Sequence, residues 1–142
     1  MSVDAAADRL VASESTGTAA PGEAAARAPH PVISVCVPTF RRPGELARLL
    51  AVLTGPLRCP VPIEIVVCDN DATQSARPTV EAAAAKTRIP IRYVCEPIQN
   101  ISRARNRLVL AARGEWIAFI DDDEIPVESW LKALWNVVAR GY

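Results

Sequence analysis

Trp116-Ile117-Ala118-Phe119-Ile120-Asp121-Asp122-Asp123-Glu124 is a stretch in which five apolar residues run directly into four acids. The apolar run is too short to cross a membrane and is typical of a buried strand. Adjacent carboxylates at a strand end repel one another, and either a cation or water relieves that repulsion. Magnesium and manganese take oxygen ligands, often one or two carboxylates completed by a substrate phosphate. The stretch therefore predicts a strand that ends at a metal and phosphate site, or else at a solvated acidic loop.

Three further apolar runs precede this strand, at residues 32–37, 63–68 and 90–95. Helical patterns alternate with the strands, and we expect the helices to begin at Pro43, near residue 77, at Asn100 or Ser102, and at Pro126. The order β-α-β-α-β-α-β-α with apolar strands is typical of a parallel sheet covered by helices. The fold class predicted from the sequence is α/β, with a Rossmann-like parallel sheet and helices on both faces.

Polar residues follow each predicted strand. These segments are 38–41, 69–71, Glu96 and 121–123. Ligands of parallel α/β sheets bind outside the carboxyl ends of the strands, and those ends share one edge. The acidic stretch, the acids after the second strand and a Thr/Arg segment are therefore expected to converge, which favours a binding site over a solvated loop.

Composition restricts the function of the 142-residue chain. Lys+Arg and Asp+Glu number 16 each, so the net charge of zero gives no support for binding nucleic acid. The four cysteines form no C-x-x-C pair, and the sequence has no run long enough to span a membrane and no secretory signal pattern. We expect a cytoplasmic protein with reduced thiols, and peripheral attachment at the inner face of the membrane stays open.

The chain divides near residue 31. Residues 1–31 are rich in Ala and Pro and poor in large apolar side chains, so we expect a disordered arm. Residues 32–142 hold all the predicted strands and form the predicted domain.

Side-chain direction separates the three aspartates. In strand geometry Asp121 and Asp123 point to one side and Asp122 to the other, so one pair can reach a single cation. Asp69 can accept a hydrogen bond from a ring N–H of a base. Phe40 either stacks on that base or packs in the core.

Arginines offer a second charge for a phosphate ligand. Arg105 lies early in the third predicted helix, where an arginine and the helix dipole both attract phosphate; the alternative is a solvated basic face. Arg41 and Arg42 have the same two interpretations. Neither G-x-G-x-x-G nor G-x-x-x-x-G-K-[ST] occurs, so the fingerprints of dinucleotide and P-loop sites are missing.

Four blocks in order resemble the family 2 glycosyltransferases of GT-A fold. They are Val35-Cys36-Val37-Pro38-Thr39-Phe40-Arg41-Arg42, Ile65-Val66-Val67-Cys68-Asp69-Asn70-Asp71, Asn100-Ile101-Ser102-Arg103-Ala104-Arg105-Asn106 and Gly114-Glu115-Trp116-Ile117-Ala118-Phe119-Ile120-Asp121-Asp122-Asp123-Glu124. The resemblance covers residues 32–142 and implies a GT-A domain that is incomplete at its C-terminal end.

The resemblance also implies roles. It implies a nucleotide-diphospho-sugar donor, inverting transfer to an unknown acceptor (a glycan, a lipid carrier or a small molecule), and a divalent cation, Mn²⁺ or Mg²⁺, on the D-x-D pair. Asp123 would be the main metal ligand and Asp121 its partner. The donor-binding residues that it implies are Pro38, Thr39, Phe40, Arg41, Asp69, Arg105, Asp121 and Asp122. Of these, Pro38, Phe40 and Asp69 would line the base pocket, Arg105 would lie near the donor, and Asp122 near its ribose or sugar.

The sequence is compatible with three hypotheses. By resemblance, the acceptor half and the catalytic base of the family lie beyond Tyr142, so we expect the donor-binding half of an enzyme with no base identifiable in this chain. The alternative is a non-catalytic or vestigial module that holds a nucleotide sugar or metal. A signalling receiver domain is disfavoured, because its acids would follow the first strand. An incomplete sheet also leaves an apolar face, which favours self-association.

Overall fold

The computed structural model describes residues 29–141. Residues 1–28, most of the arm predicted for 1–31, lie outside the described residues. Four strands and four helices alternate along the rest of the chain. They are β1 (Ile33–Thr39), α1 (Pro43–Thr54), β2 (Ile63–Asp69), α2 (Arg77–Ala84), β3 (Ile91–Cys95), α3 (Ile101–Ala111), β4 (Trp116–Phe119) and α4 (Trp130–Val138).

The four strands form one parallel sheet in the order β3-β2-β1-β4. Ile33 at the start of β1 is in register with Ile63 on one side and Trp116 on the other. Chain order therefore reverses at β1, whose neighbours are β2 and β4. Such a reversal opens a crevice at the carboxyl ends of the two diverging strands. The predicted α/β fold class is confirmed, and the sheet places its crevice between the ends of β1 and β4.

Helices cover both faces of the sheet. On one face α1, α2 and α4 share an apolar core with the sheet, and α1 contributes Leu46, Leu49, Leu50 and Leu53, all buried at helical spacing. On the other face α3 lays Ala104 and Leu108 on Cys36, Val66 and Cys68. The two-sided arrangement agrees with the prediction, and it leaves the strand ends free of helix.

At the opposite end of the sheet, a buried polar cluster links β1 and β2 to the segment just before β4. Glu64 of β2 accepts hydrogen bonds from the Ser34 hydroxyl at 2.6 Å and from the Arg113 amide at 2.7 Å. The Ser34 hydroxyl oxygen in turn accepts from the Gly114 amide at 2.8 Å. A Cβ on Gly114 would lie 2.6 Å from the Ser34 nitrogen, so only glycine allows this approach. The cluster fixes the start of β4 against β1.

All four cysteines are free thiols. Burial raises the pKa of Cys36 and Cys68 to about 12, so neither thiol is reactive at neutral pH. Both side chains act as small buried hydrophobes.

The predicted start of the last helix is wrong. We expected it at Pro126, but α4 begins at Trp130. The backbone carbonyl of Glu128 accepts a hydrogen bond from the Arg58 amide at 3.1 Å, and the two side chains form an ion pair. A hydrogen bond and an ion pair to a residue 70 positions away hold Glu128 in the loop that precedes α4. Val127, in the loop before α4, is 69% exposed.

Apolar side chains around β4 and α4 remain exposed, among them Ile117, Phe119, Leu134 and Val137. β4 is the last strand on its side of the sheet. The predicted self-association stays a prediction. Within residues 29–141, the helices are all too short or too polar to span a bilayer.

Candidate functional site

A cleft of about 500 Å³ opens at the carboxyl ends of β1 and β4, beside the first turn of α3. Its walls are Pro38, Thr39, Phe40, Arg42, Asn70, Gln99, Asn100, Ile101, Arg105, Asp121, Asp122 and Asp123. Seven of these are residues that the sequence assigned to a binding or metal site: Pro38, Thr39, Phe40, Arg105, Asp121, Asp122 and Asp123. The predicted site residues Arg41 and Asp69 do not line the cleft.

The acidic segment forms a tight turn. The Asp121 amide donates to the Glu124 carboxylate at 2.9 Å, and the Glu124 amide donates to the Asp121 carbonyl at 3.1 Å. Asp122 turns inward and is only 5% exposed, whereas the side chains of Asp121 and Asp123 are 51% and 57% exposed. The opposed directions predicted for Asp122 and its two neighbours match this arrangement.

Asp122 is held by the end of β1. The Thr39 hydroxyl donates to Asp122 Oδ2 at 2.9 Å. Burial raises the pKa of Asp122, and the Thr39 hydrogen bond and the charge of Arg42 oppose that rise. A contact from Asp122 to a ribose or sugar hydroxyl, as the resemblance implies, would have to share these oxygens.

Two arginines face the acidic turn. Arg42 Nη1 lies 3.3 Å from Asp123 Oδ2 and 3.5 Å from Asp122 Oδ1. Arg105 Nη2 lies 3.6 Å from Asp121 Oδ1. Every aspartate of the turn therefore has a guanidinium beside it, and the cleft contains both charges that a metal-bound phosphate would contact.

Arg41 points away from the acidic turn. Its Nε lies 3.4 Å from Asp71 Oδ2, and its guanidinium carbon sits 4.9 Å from the centre of the Phe40 ring. Hydrogen bonds from Thr73 hold the pKa of Asp71 well below its usual range, and Arg41 adds to this effect. Arg41 has a φ of 52°, a left-handed conformation that is uncommon for a residue with a Cβ. It joins the loop after β1 to the loop after β2 and backs one face of Phe40.

Asp69 organises the loop after β2. Its carboxylate is fully buried and accepts from the Asp71 amide at 3.1 Å, the Ala76 amide at 2.9 Å and the Tyr93 hydroxyl at 2.8 Å. Burial and this hydrogen bond raise the pKa of Tyr93. Direct bonding of Asp69 to a base, which the sequence predicted, would require this loop to move, because the carboxylate is fully buried and does not line the cleft.

Asn70 ties the loop after β2 to the start of α3. Its amide nitrogen donates to the carbonyls of Glu96 and Ile98, both at 2.8 Å, and its oxygen accepts from the Asn100 amide at 2.8 Å. The Asn100 side chain accepts from the Arg103 amide at 3.1 Å, so Asn100 is the cap that the sequence offered as one of two choices. These bonds fix where α3 begins and hence where Arg105 stands.

Residues 34–142 match the family model described as glycosyl transferase family 2. The chain belongs to the family 2 glycosyltransferases. Its fold is the GT-A fold expected from the resemblance, and the crystal structure of S. aureus TarS 1-349 superposes with a TM-score of 0.64 at 25% identity, over 76% of this chain and 32% of that one.

Two curated relatives are similar in sequence. The succinoglycan biosynthesis protein ExoM of Rhizobium meliloti (strain 1021) is 41% identical over 107 residues, which cover 74% of this chain and 33% of ExoM. Validoxylamine A glucosyltransferase of Streptomyces hygroscopicus subsp. limoneus is 30% identical over 91 residues, covering 64% of this chain and 20% of that protein. The chain thus spans a third or less of the length of these relatives.

Family 2 glycosyltransferases commonly use a divalent cation, and the cleft of this member suits one that is shared with a ligand. In residues 29–141, no group of three or more His, Cys, Asp or Glu side chains is arranged to hold a metal by itself. The half-exposed carboxylates of Asp121 and Asp123 both line the cleft. Two carboxylates with the remaining ligands from a phosphate and water are the usual protein share of a magnesium or manganese site.

Arg42 and Asn70 line the cleft of this family 2 glycosyltransferase. The sequence left Arg42 open between a phosphate contact and a solvated basic face, and it assigned no role to Asn70. A signal existed for both, since Asn70 directly follows β2 and Arg42 lies in the short loop between β1 and α1. Arg42 lines the cleft and Arg41 does not, because the backbone of Arg41 is left-handed. No pattern in the sequence predicts that conformation.

Proposed function

We propose that this chain binds a nucleotide-diphospho-sugar in the cleft and is the donor-binding half of a glycosyltransferase. The observation that carries the proposal is the convergence of an aromatic ring, an arginine and an acidic turn at one crevice of the sheet, represented by Phe40, Arg105 and Asp121–Asp123. A base, a diphosphate and a cation need these three kinds of contact. TarS, similar in fold, has been solved in complex with UDP and with UDP-GlcNAc, which supports the same class of donor here.

In the proposed complex the base lies against Phe40 and Pro38, both of which line the cleft. Arg41 supports the other side of the Phe40 ring, and Asp69 holds the adjoining loop in place. Stacking on an aromatic ring is available to every base. The identity of the base therefore has to be selected by the polar groups around the ring.

The diphosphate lies between the first turn of α3 and the acidic turn. Arg105 and the amide end of α3 supply positive charge. Asp121 and Asp123 would hold Mn²⁺ or Mg²⁺, with Asp123 as the main ligand, and Asp122 would steady the turn while it borders the ribose or sugar. A bound cation would neutralise the charge that develops on the diphosphate as it leaves.

Transfer also needs a base that takes the proton of the acceptor hydroxyl. The carboxylates that line the cleft within residues 29–141 are those of Asp121, Asp122 and Asp123, which are already assigned to the cation and the turn. This observation favours a second candidate for the chain taken alone, a module that binds the donor without transferring its sugar.

Calorimetry with UDP, GDP and dTDP, each with and without Mn²⁺, tests the donor site. We expect at least one nucleotide to bind and its affinity to depend on the metal. If none binds with metal in a sample that circular dichroism shows to be folded, the proposed function is wrong.

Donor hydrolysis separates the two candidates. We expect little or no release of free sugar from UDP-sugars by residues 1–142, because the base is not among the cleft carboxylates. Robust turnover would favour the enzyme and would mean that one of these carboxylates acts as the base.

A further inference from the structure

Arg42 is held rigidly at its backbone and contacts two carboxylates with its side chain. It lies directly before α1, and its carbonyl accepts from the Leu46 amide at 3.0 Å. One guanidinium nitrogen, Nη1, lies within 3.5 Å of both Asp122 Oδ1 and Asp123 Oδ2. Since Asp122 is buried and bonded to Thr39, the bridge connects the half-exposed Asp123 to a fixed anchor.

This bridge places a permanent positive charge at one of the two carboxylate oxygens of Asp123. A guanidinium stays protonated throughout the ordinary pH range. A divalent cation can therefore reach Asp123 Oδ2 only by displacing Arg42, and the two positive charges repel each other while both are near. The contact is half-exposed, with 53% of the Arg42 side chain accessible, so it can open without unfolding the domain.

We propose that Arg42 is a positioning residue that occupies Asp123 in the nucleotide-free protein and moves to the diphosphate when donor and cation enter together. The proposal rests on the donor site proposed above. A diphosphate offers a guanidinium paired oxygens, a better partner than a half-exposed carboxylate. The exchange leaves Asp123 free for the cation at the moment when phosphate oxygens arrive to complete the metal's coordination.

The other arginines around the cleft are placed differently. Among the acids of residues 29–141, Arg105 pairs with Asp121 alone, and Arg41 is engaged with Asp71. Arg42 is the arginine that bridges two members of the acidic turn. The bridge therefore couples the binding of metal to the binding of nucleotide. Mn²⁺ binds weakly by itself and much more tightly when nucleotide is present.

The test measures Mn²⁺ affinity by electron paramagnetic resonance of free Mn²⁺, with and without UDP, and in parallel with GDP and dTDP. The variants are Arg42→Gln and, as a charge-retaining partner, Arg42→Lys. Arg48→Gln is the matched control, because it removes the same charge from an exposed α1 residue whose nearest acid, Glu45, lies 4.0 Å away. If Arg42→Gln has a lower melting temperature than the native chain, Arg42→Met replaces it, because Met keeps the aliphatic part of the side chain.

Without nucleotide we expect Arg42→Gln to bind Mn²⁺ about two- to fivefold more tightly than the native chain, the range of one half-exposed ion pair. The gain that nucleotide gives to Mn²⁺ affinity should shrink by at least the same factor. Arg42→Lys should stay near the native chain, as should Arg48→Gln. A purely structural role predicts the opposite sign, since a disordered acidic turn would bind metal less well.

Arg42→Gln that binds free Mn²⁺ no more tightly than Arg48→Gln would overturn the inference. If the native chain still binds a nucleotide with Mn²⁺ in that case, the proposed donor site stands and only the role of Arg42 falls. If the native chain binds no nucleotide with metal, the donor site falls and the inference falls with it.

Discussion

The Thr39 hydroxyl and the Asp122 carboxylate, 83 residues apart in the chain, meet in a buried hydrogen bond of 2.9 Å. This bond connects the end of β1 to the turn that follows β4. It fixes the middle aspartate of the acidic turn and so directs its two neighbours toward the cleft.

Replacing Thr39 with Val removes the hydroxyl while keeping the shape of the side chain. We expect the free energy of unfolding to fall by about 1–3 kcal/mol, because a buried carboxylate loses a donor. Urea denaturation at pH 7 measures this. Thr54→Val is the control, since the Thr54 hydroxyl bonds only to the Leu50 carbonyl of its own helix, and its effect should be smaller. An equal fall in the free energy of unfolding in the two variants would show that the bond to Asp122 stabilises the domain no more than the bond within α1.

Asp123→Ala should abolish metal-dependent nucleotide binding, with a loss of at least about tenfold in affinity, since a divalent ion would keep only one of its two carboxylates. Calorimetry with Mn²⁺ and the nucleotide that binds best checks this. Glu115→Ala, which removes an exposed acid just before β4, should bind like the native chain. Retained binding in Asp123→Ala would remove the role given to Asp123.

Phe40→Leu distinguishes the two interpretations of the aromatic ring. If the ring stacks on the base, the free energy of nucleotide binding should become less favourable by about 1–3 kcal/mol, with little change in the free energy of unfolding. If Phe40 is a core residue, the free energy of unfolding should fall instead while affinity per folded molecule is kept. Calorimetry and urea denaturation on the same sample separate these outcomes, and we expect the first, because Phe40 lines the cleft.

Gly114→Ala should destabilise the domain by about 1–3 kcal/mol, the usual cost of overpacking. The new Cβ would fall 2.6 Å from the Ser34 nitrogen and 2.8 Å from its hydroxyl oxygen. Gly44→Ala is a favourable contrast, because its Cβ would have no heavy atom within 4 Å and alanine suits a helix better than glycine. Thermal melting of both variants is sufficient, and a Gly114→Ala melting point at or above the native value would contradict the close approach.

Asp71 should make stability depend on pH below neutrality. Because hydrogen bonds lower its pKa in the folded chain below the ordinary value of 3.8, its stabilising effect is complete above that value and is lost as the pH falls through and below it. The native chain should therefore be more stable than Asp71→Asn at pH 7, and the difference should shrink toward pH 3. Urea denaturation across this range tests it, with Glu81→Gln in α2 as an exposed control; a constant difference would contradict the prediction.

Local patterns were sufficient for the sheet and for the direction of the aspartates. Period-two geometry predicted that Asp122 would oppose Asp121 and Asp123, and the strand ends predicted where the cleft would lie. These features depend on residues close together in sequence and on rules general to parallel sheets.

What the sequence did not reveal depends on partners far along the chain. The start of α4 shifted because Glu128 bonds to Arg58. Arg42 contacts Asp123 across 81 residues. The Tyr93 hydroxyl of β3 reaches Asp69 across 24 residues and joins two amides of the loop after β2 on that carboxylate. Such pairings are set by packing after the chain has folded, and no spacing of residue types encodes them.

The short strand β4 is tied to β1 near both ends, by Gly114 on Ser34 and by Asp122 on Thr39. A one-residue slip would break both ties and turn every side chain of the strand to the wrong face. The fixed register of β4 on β1 therefore sets the position of the acidic turn. A related sequence that prefers another donor should therefore differ in the loops around the cleft, while the length of β4 and the identities of its two tie points stay the same.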